Sequence, residues 1–219
     1  MGNVYFSMPK QLVLDIVREA PVPNFVETGT YKGGTSFWAA TVFKNVYTIE
    51  IDPFISKETS ERPDCPSNIK FFVGNSKDVL PQIVKGLIGQ TFFWLDGHWC
   101  WGAGGKDMEC PLLEEIEAIK MSKDPIIFID DARCFLGPLP PPHNAEDWPR
   151  IDEIFALLKL NFPFHHTTIL DDVIVCFPEQ LKAVMDREWV ENFGNRFAPK
   201  QEDSIRTLVS KTIKRIIKK

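Results

Sequence analysis

Short apolar runs alternate with longer mixed segments along the chain as far as about residue 130. The runs are continuous rather than alternating in hydrophobicity and rich in β-branched or aromatic residues, which is typical of strands buried on both faces. Segments with helical character separate them, so the pattern predicts a mainly parallel sheet covered by helices on both sides. The predicted strands cover 24–28, 46–50, 69–73, 91–96 and 125–130, and the predicted helices about 34–43, 53–61, 77–87 and 111–121.

The pattern changes after residue 130. The segment GPLPPPHN (137–144) is too rich in proline for regular structure and predicts a surface loop. A helix near 148–160 follows, and then two apolar runs, 165–170 and 172–177, that lie too close together for a crossover helix. We therefore expect them to form an antiparallel hairpin, a reversed pair at the sheet edge. The predicted fold class is α/β: a doubly wound, seven-stranded, mainly parallel sheet with a terminal antiparallel hairpin.

Composition indicates one domain with a distinct tail. The chain has 219 residues, 44% of them apolar, which is enough for one sizeable core. We expect a single domain over 1–200 and a basic amphipathic helix over 201–219. Residues 204–219 carry six basic side chains and no acidic one, although the net charge of the whole chain is −5. Such a helix can dock on its own domain, on a partner or on an anionic membrane surface.

Charge and cysteine usage limit the partners and the cellular compartment that we expect for the protein. The negative net charge argues against a nucleic-acid partner. No apolar run reaches the roughly 18 residues of a membrane span, and the first ten residues do not resemble a signal peptide, so we expect a cytoplasmic protein that is peripheral to a membrane if its tail binds one. The five scattered cysteines indicate free thiols in a reducing compartment. A zinc site formed by His98, Cys100 and Cys110 is an alternative, but its spacing is unusual.

The segment FVETGTYKGGTSFW (25–38) joins the first predicted strand to the first predicted helix. A glycine turn there directs backbone N–H groups toward a ligand at the carboxyl end of the strand. A nucleoside-triphosphate loop needs lysine where Thr35 stands, and a dinucleotide fingerprint needs glycine where Tyr31 stands. Glu27 at the strand end repels a pyrophosphate but attracts the α-ammonium group of a methionine moiety. The alternative is a turn that serves only tight packing of strand and helix.

Two later strand ends extend this interpretation. Glu50 ends the second predicted strand, where it can accept hydrogen bonds from two ribose hydroxyls. Asn75 follows the third strand, where its amide can bond an adenine edge. These features together fit S-adenosylmethionine. The predicted cofactor-binding residues are Glu27, Gly29, Thr30, Tyr31, Gly33, Gly34, Thr35, Ser36, Glu50, Ile51, Asn75, Ser76 and Asp96.

Three further acids indicate a metal site. Asp96 ends the fourth predicted strand, and Asp130 and Asp131 end the fifth. Because the carboxyl ends of adjacent strands meet over one crevice, we expect these carboxylates to converge beside the cofactor. A divalent cation would relieve their repulsion; hard oxygen ligands suit Mg²⁺, with Mn²⁺ or Ca²⁺ as alternatives. Such a metal can hold vicinal hydroxyls of a substrate and lower the pKa of the attacking one.

From about residue 24 to 177 the chain resembles class I S-adenosylmethionine-dependent methyltransferases. The acid-G-x-x-x-G-G turn, the second acid and the adenine turn stand in the family's order. The stretches LDGH (95–98) and DD (130–131) are similar to the LDGD and DD motifs of metal-dependent sugar O-methyltransferases of the macrocin O-methyltransferase type. The resemblance implies a Rossmann-like methyltransferase fold whose last strand is reversed, and methyl transfer to a hydroxyl of a glycan or glycosylated metabolite.

The resemblance also implies catalytic roles for Asp96 and His98. His98 stands where that family has an acid proposed as the general base. Histidine can remove a proton from a hydroxyl near neutral pH, so the role can survive the change. A metal ligand and a loop histidine without chemistry are the alternatives.

The segment that follows is rich in aromatic residues and glycine. Trp99 and Trp101 can stack on a sugar ring, or they can simply cap the sheet. Gly102, Gly104 and Gly105 would allow a lid to close, whereas Glu109 and Cys110 are expected to be structural. Two rival functions remain open: a catechol-type small-molecule O-methyltransferase, and a non-catalytic cofactor-binding module docked to a glycan-assembly complex. Association into a homo-oligomer is also open.

Overall fold

The structure of the protein is a computed structural model that describes residues 7–99 and 108–197, with the backbone alone for 192–197. Several predictions fall outside these residues. They concern the tail helix 201–219, Cys100, Trp101 and the glycines of 102–105, and they stay predictions.

The described residues form one seven-stranded sheet in the order β3-β2-β1-β4-β5-β7-β6. Strands β1 to β5 are parallel, as predicted. The four strands at the centre, β1, β4, β5 and β7, are buried at every position, because helices cover both of their faces. The strands are β1 Asn24–Thr28, β2 Asn45–Glu50, β3 Ile69–Val73, β4 Thr91–Leu95, β5 Ile126–Ile129, β6 His165–Leu170 and β7 Val173–Pro178.

The terminal hairpin is confirmed, with one correction. Strand β7 lies between β5 and β6 and is antiparallel to both. Strand β6 therefore runs parallel to β1–β5, so the prediction of a reversed pair is wrong for β6. Only Asp171 and Asp172 connect the two strands, and Asp171 has a φ of 55°. Aspartate adopts this left-handed conformation more readily than most residues, which suits a tight turn.

Helices cover both faces of the sheet, which confirms the doubly wound arrangement. One core joins α1, α2 and the α7 segment to side chains such as Phe25 and Phe92. The other joins α4, α5 and α6 to Val26 and Phe93, the next residues along the same two strands. The helices are α1 Lys10–Glu19, α2 Gly34–Ala39, α3 Pro53–Ser60, α4 Ser76–Gly86, α5 Leu112–Ile119, α6 Ile151–Asn161 and α7 Lys182–Phe197.

Helices α1 and α7 are not among the helices predicted from the sequence. Leu12, Val13 and Ile16 of α1 are buried at helical spacing, so a signal for this helix is present. The two helices lie side by side, and Arg187 of α7 contacts Glu19 of α1 with an N–O distance of 3.2 Å. In the part of the chain that the structure describes, no helix is long and apolar enough to cross a membrane.

Candidate active site

The predicted site residues come together at the carboxyl edge of the sheet. The register pairs Thr28, the last residue of β1, with Ile49 of β2 and Leu95 of β4. Segments that follow these strands therefore meet at one edge, as the sequence predicts. Glu27 and Glu50 are the site residues that lie within strands, near the end of β1 and at the end of β2. The segments that follow β1 to β5 contain the others: Gly29, Thr30, Tyr31, Gly33, Gly34, Thr35, Ser36, Ile51, Asn75, Ser76, Asp96, His98, Asp130 and Asp131.

The glycine turn packs directly on the end of β4. Gly29 has a φ of 85°, and its N–H donates to the carbonyl of Ile49 over 2.9 Å. A Cβ atom on Gly29 would lie 2.2 Å from the carbonyl oxygen of Asp96. Gly33, with a φ of 74°, forms the left-handed N-cap of α2. The turn thus rests on the backbone of Asp96, which directly follows β4, and a larger residue at Gly29 would require that backbone to move.

The Glu27 carboxyl group lies beneath this turn. Its side chain accepts hydrogen bonds from Ser36 Oγ at 2.5 Å and Thr48 Oγ1 at 2.6 Å, and the residue is 1% exposed. Burial raises the pKa of Glu27 to about 8, although the two hydroxyl hydrogen bonds lower it. The described contacts join α2 and β2 to β1. Attraction of a methionine ammonium group by Glu27 stays a prediction.

The Glu50 carboxyl group is fixed at the sheet edge by backbone groups. Tyr31 N–H donates to Oε2 over 2.8 Å, and Asp52 N–H donates to Oε1 over 3.1 Å. Each carboxylate oxygen can accept a further hydrogen bond, so both can still receive a ribose hydroxyl. Tyr31 itself has a φ of 44°, and Thr59 Oγ1 donates to its carbonyl over 2.8 Å. Ile51 is 38% exposed at the same edge.

The turn after β3 begins helix α4. Asn75 is the N-cap, and its Oδ1 accepts the N–H of Lys77 over 3.1 Å. The side-chain NH₂ group of Asn75 remains able to donate to an adenine edge. Ser76, the first residue of α4, is buried. This arrangement places Asn75 as the sequence predicts.

Asp96, His98 and Asp131 form a cluster in which one ligand atom from each residue lies within 4.8 Å of the others. His98 Nε2 lies 2.8 Å from Asp131 Oδ2 and 3.8 Å from Asp96 Oδ1. Asp131 has a φ of 56°, and its N–H donates to Asp130 Oδ1 over 2.8 Å. The cluster thus contains His98 in addition to two of the three predicted metal ligands, with Asp130 adjoining it.

The pKa values of these acids are shifted in different directions. Burial raises the pKa of Asp96 to about 7, and the charges of Asp130 and Asp131 act in the same direction against the opposing effect of His98. Burial also raises the pKa of Asp130. The hydrogen bond from His98 lowers the pKa of Asp131, and Arg133 contributes to the same shift. Asp131 is therefore the acid of this cluster that is most readily ionised.

The donor atoms of the cluster fit a divalent cation. Carboxylate oxygens suit Mg²⁺, Mn²⁺ and Ca²⁺, and an imidazole nitrogen is a common ligand of transition metals. Both oxygens of Asp131 already have partners, because Arg133 Nη1 lies 2.8 Å from Oδ1. Arg133 also pairs with Asp172 in the turn between β6 and β7. The zinc alternative stays a prediction, because Cys100 lies outside the described ranges.

A buried node fixes the proline-rich loop 137–144 over this cluster. Glu109 is 2% exposed and accepts hydrogen bonds from Trp148 Nε1 at 2.7 Å and the backbone N–H of Asn144 at 3.0 Å. His143 Nδ1 lies 2.9 Å from its Oε2. The Trp148 ring packs edge-on against His98 at 5.4 Å between centroids. Glu109 is thus structural, as predicted, whereas His143 and Trp148 are additional residues of the site that were not predicted.

Trp99 borders the same node. The backbone N–H of Trp99 donates to the backbone carbonyl of Glu109 over 2.7 Å. The indole ring packs edge-on against the His143 ring, with 5.2 Å between the ring centroids. The residue is partly exposed. Trp99 can therefore present a ring face beside the cluster, while its backbone is fixed by Glu109.

No protein-family model matches the sequence, and no curated protein matches it. Solved structures do resemble it in fold. Cofactor-bound Rv0187 from MTB has a TM-score of 0.51 at 17% identity, over 80% of this chain and 82% of that one. Human methyltransferase-like protein 13 in complex with SAH has a TM-score of 0.53 at 13% identity, over 84% and 87%. The chain therefore has the Rossmann-like fold of class I methyltransferases, as the resemblance implies.

Proposed function

We propose that the protein is an S-adenosylmethionine-dependent O-methyltransferase that acts on a hydroxyl of a carbohydrate or glycosylated small molecule with the help of a divalent metal. The observation that carries this proposal is the convergence of Asp96, His98 and Asp131 beside a glycine turn. A fold shared with a methyltransferase-like protein in complex with SAH supports the cofactor.

Groups at the ends of β1 to β3 would bind the cofactor, which supplies the methyl group. Glu50 presents two oriented oxygens for ribose hydroxyls, because Tyr31 and Asp52 hold its carboxyl group in place. Asn75 offers an amide for the adenine edge, and the exposed side chain of Ile51 offers an apolar surface for the ring. Positioning of this kind contributes much of the rate in a displacement reaction.

His98 is the group suited to accept the proton of the acceptor hydroxyl. The Asp131 carboxylate lies 2.8 Å from Nε2, so it orients the imidazole and stabilises the imidazolium formed on proton transfer. Asp96, Asp130 and Asp131 would hold the metal, which would lower the pKa of a hydroxyl bound to it. The Asp131 oxygens contact His98 and Arg133, so a metal ion would have to bind through the second lone pair of one of them.

The choice of a carbohydrate acceptor rests on Trp99. A partly exposed indole beside the acid cluster can stack on the apolar face of a sugar ring. A catechol-type acceptor uses similar acids, so acceptor chemistry has to be tested directly. Incubation with labelled S-adenosylmethionine, Mg²⁺ and either glycans or catechols, followed by mass spectrometry, should give methylated glycan only. Methylated catechol without methylated glycan would refute the carbohydrate assignment.

Cofactor binding is the first experiment. Isothermal titration of folded protein with S-adenosylmethionine should show saturable binding, and its absence would refute a methyltransferase function. Asp130→Ala should lower metal binding and activity together. Full activity in the presence of a chelator would remove the metal from the proposal and leave the methyltransferase assignment in place.

A further inference from the structure

Glu115 is a buried acid that the proposed mechanism does not use. It lies on α5, where the other buried residues are Leu112, Ile116 and Ile119. Its exposed fraction is 2%, whereas its neighbour Glu114 is exposed. A carboxyl group in an otherwise apolar helix face costs free energy unless polar groups compensate for its burial. The compensating groups identify what Glu115 does.

The polar neighbours of Glu115 belong to two parts of the candidate site. Burial raises the pKa of Glu115 to about 7, and the nearby hydroxyls of Ser76 and Thr28 lower it. Thr28 Oγ1 accepts the backbone N–H of Asp96 over 3.1 Å. Glu115 therefore lies beside the end of β1, next to the side chain that holds the Asp96 N–H.

A third contact reaches the segment that carries His98. A Cβ atom on Gly97 would lie 3.1 Å from Glu115 Oε1 and 3.0 Å from Thr28 Oγ1, so the Gly97 backbone rests on both groups. Oε1 has no hydrogen-bond partner among the described residues. Glu115, Gly97 and His98 line a cavity of about 10 Å³, close to the volume of one water molecule. The carboxyl group of Glu115 thus faces the backbone of the Asp96–His98 segment.

We propose that Glu115 is a positioning residue that holds the Asp96–His98 segment against the end of β1. It acts through the Gly97 backbone, which rests on Glu115 and Thr28, rather than by touching a ligand. Its effect on cofactor binding and turnover rests on the proposed function, whereas its effect on the backbone of the segment does not. The two can therefore be tested separately.

The test compares Glu115→Leu with Glu115→Gln and Glu114→Gln. Leucine has a similar volume but no hydrogen-bonding group, glutamine retains acceptor and donor atoms, and Glu114 is the exposed neighbour on the same helix. We expect Glu115→Leu to weaken SAH binding and lower kcat by about 10-fold to 100-fold, the range seen when a supporting group behind a site is removed. Glu115→Gln should stay closer to the wild type, and Glu114→Gln should match it.

Stability separates positioning from general damage. An apolar replacement for a buried acid is often neutral or stabilising, so Glu115→Leu should unfold in urea at a midpoint no lower than that of the wild type. A loss of SAH affinity that appears only together with a lower midpoint would overturn the positioning role. Unchanged SAH affinity and kcat in a stable Glu115→Leu variant would overturn it as well.

Hydrogen exchange of the ligand-free protein provides a readout that needs no cofactor. The Asp96 amide donates to both Thr28 Oγ1 and the Thr28 carbonyl, and a shift of the segment would weaken both hydrogen bonds. It should therefore exchange about tenfold faster in Glu115→Leu than in the wild type, while amides of the exposed face of α5 keep their rates. Equal exchange at Asp96 would sink the inference. Failure of the wild type to bind SAH, with faster exchange in the variant, would instead refute the proposed function and leave the structural link intact.

Discussion

Replacing Gly29 and Gly34 by alanine, one at a time, should have opposite effects although both glycines belong to the same turn. A Cβ atom at Gly29 would lie 2.2 Å from the Asp96 carbonyl oxygen and 2.9 Å from its carbonyl carbon, and the φ of Gly29 is 85°. Both atoms are backbone, so no side chain can rotate away. At Gly34 nothing lies within 4 Å of the corresponding position, and the residue is the first of α2.

The magnitudes follow from these contacts. A left-handed conformation costs alanine about 1–2 kcal/mol, and overpacking against a rigid neighbour costs about 1–3 kcal/mol, so Gly29→Ala should lower the free energy of unfolding by about 2–5 kcal/mol. Gly34→Ala meets no contact and gains helix propensity, so it should leave the protein unchanged or more stable by up to about 1 kcal/mol.

Urea unfolding of the two variants and the wild type measures this difference directly. Gly29→Ala should shift the midpoint downward and also weaken SAH binding, because the Asp96 backbone has to move. The reasoning would be refuted if Gly29→Ala unfolded with the midpoint of the wild type, or if Gly34→Ala were as destabilised as Gly29→Ala. The first result would mean that the turn and β4 are not in contact, and the second that the turn responds to any side chain.

Three further predictions concern Glu27, Asp131 and Trp99. Burial raises the pKa of Glu27 to about 8, so its protonated form stabilises the fold below pH 4.5, and this contribution is lost as the pH rises through about 8. Urea unfolding should therefore show that Glu27→Gln loses less stability than the wild type over this pH range. Parallel curves of stability against pH for the two proteins would contradict this prediction. Asp131→Asn removes a proposed metal ligand and the partner of His98, so titration with Mn²⁺ should show affinity at least about tenfold weaker, in contrast to an unchanged Asp152→Asn control. Trp99→Ala should raise KM for a glycan about 2-fold to 10-fold and leave the SAH Kd unchanged, since it removes only a stacking surface; a raised SAH Kd would place Trp99 in the cofactor site instead.

Strands β1, β4 and β5 were predictable because each of them is buried at every position, whereas β2 and β3 are predominantly apolar but only partly buried. A continuous apolar run can be recognised as a strand without knowing which strands lie beside it. All five predicted parallel strands are confirmed. The position of β7 was not predictable in the same way. Local sequence indicates that β6 and β7 form a hairpin, but the choice of β7 as the neighbour of β5 depends on burial, and β7 is fully buried while β6 is not.

The candidate site was predictable where strand geometry alone determines position. Acids that follow parallel strands must meet at one edge, and Asp96 and Asp131 do so. The Glu109 node depends instead on contacts between segments 34 and 39 residues apart, which no local spacing encodes. A hydrogen-bonded Trp148 in a proline-rich region could have been found only by asking what buries that indole.

Alternation along β1 directs its last two side chains, both polar, to opposite faces of the sheet. Successive side chains point to opposite faces of a sheet, so Glu27 lies on the α2 side and Thr28 on the α5 side. Glu27 accordingly contacts Ser36 of α2, whereas Thr28 contacts Glu115 of α5 and the Asp96 N–H. Glu27 therefore supports the turn, and Thr28 supports the segment of Asp96. A strand-end motif has to be analysed residue by residue for the face that each side chain reaches, because neighbours in the sequence support different parts of the candidate site.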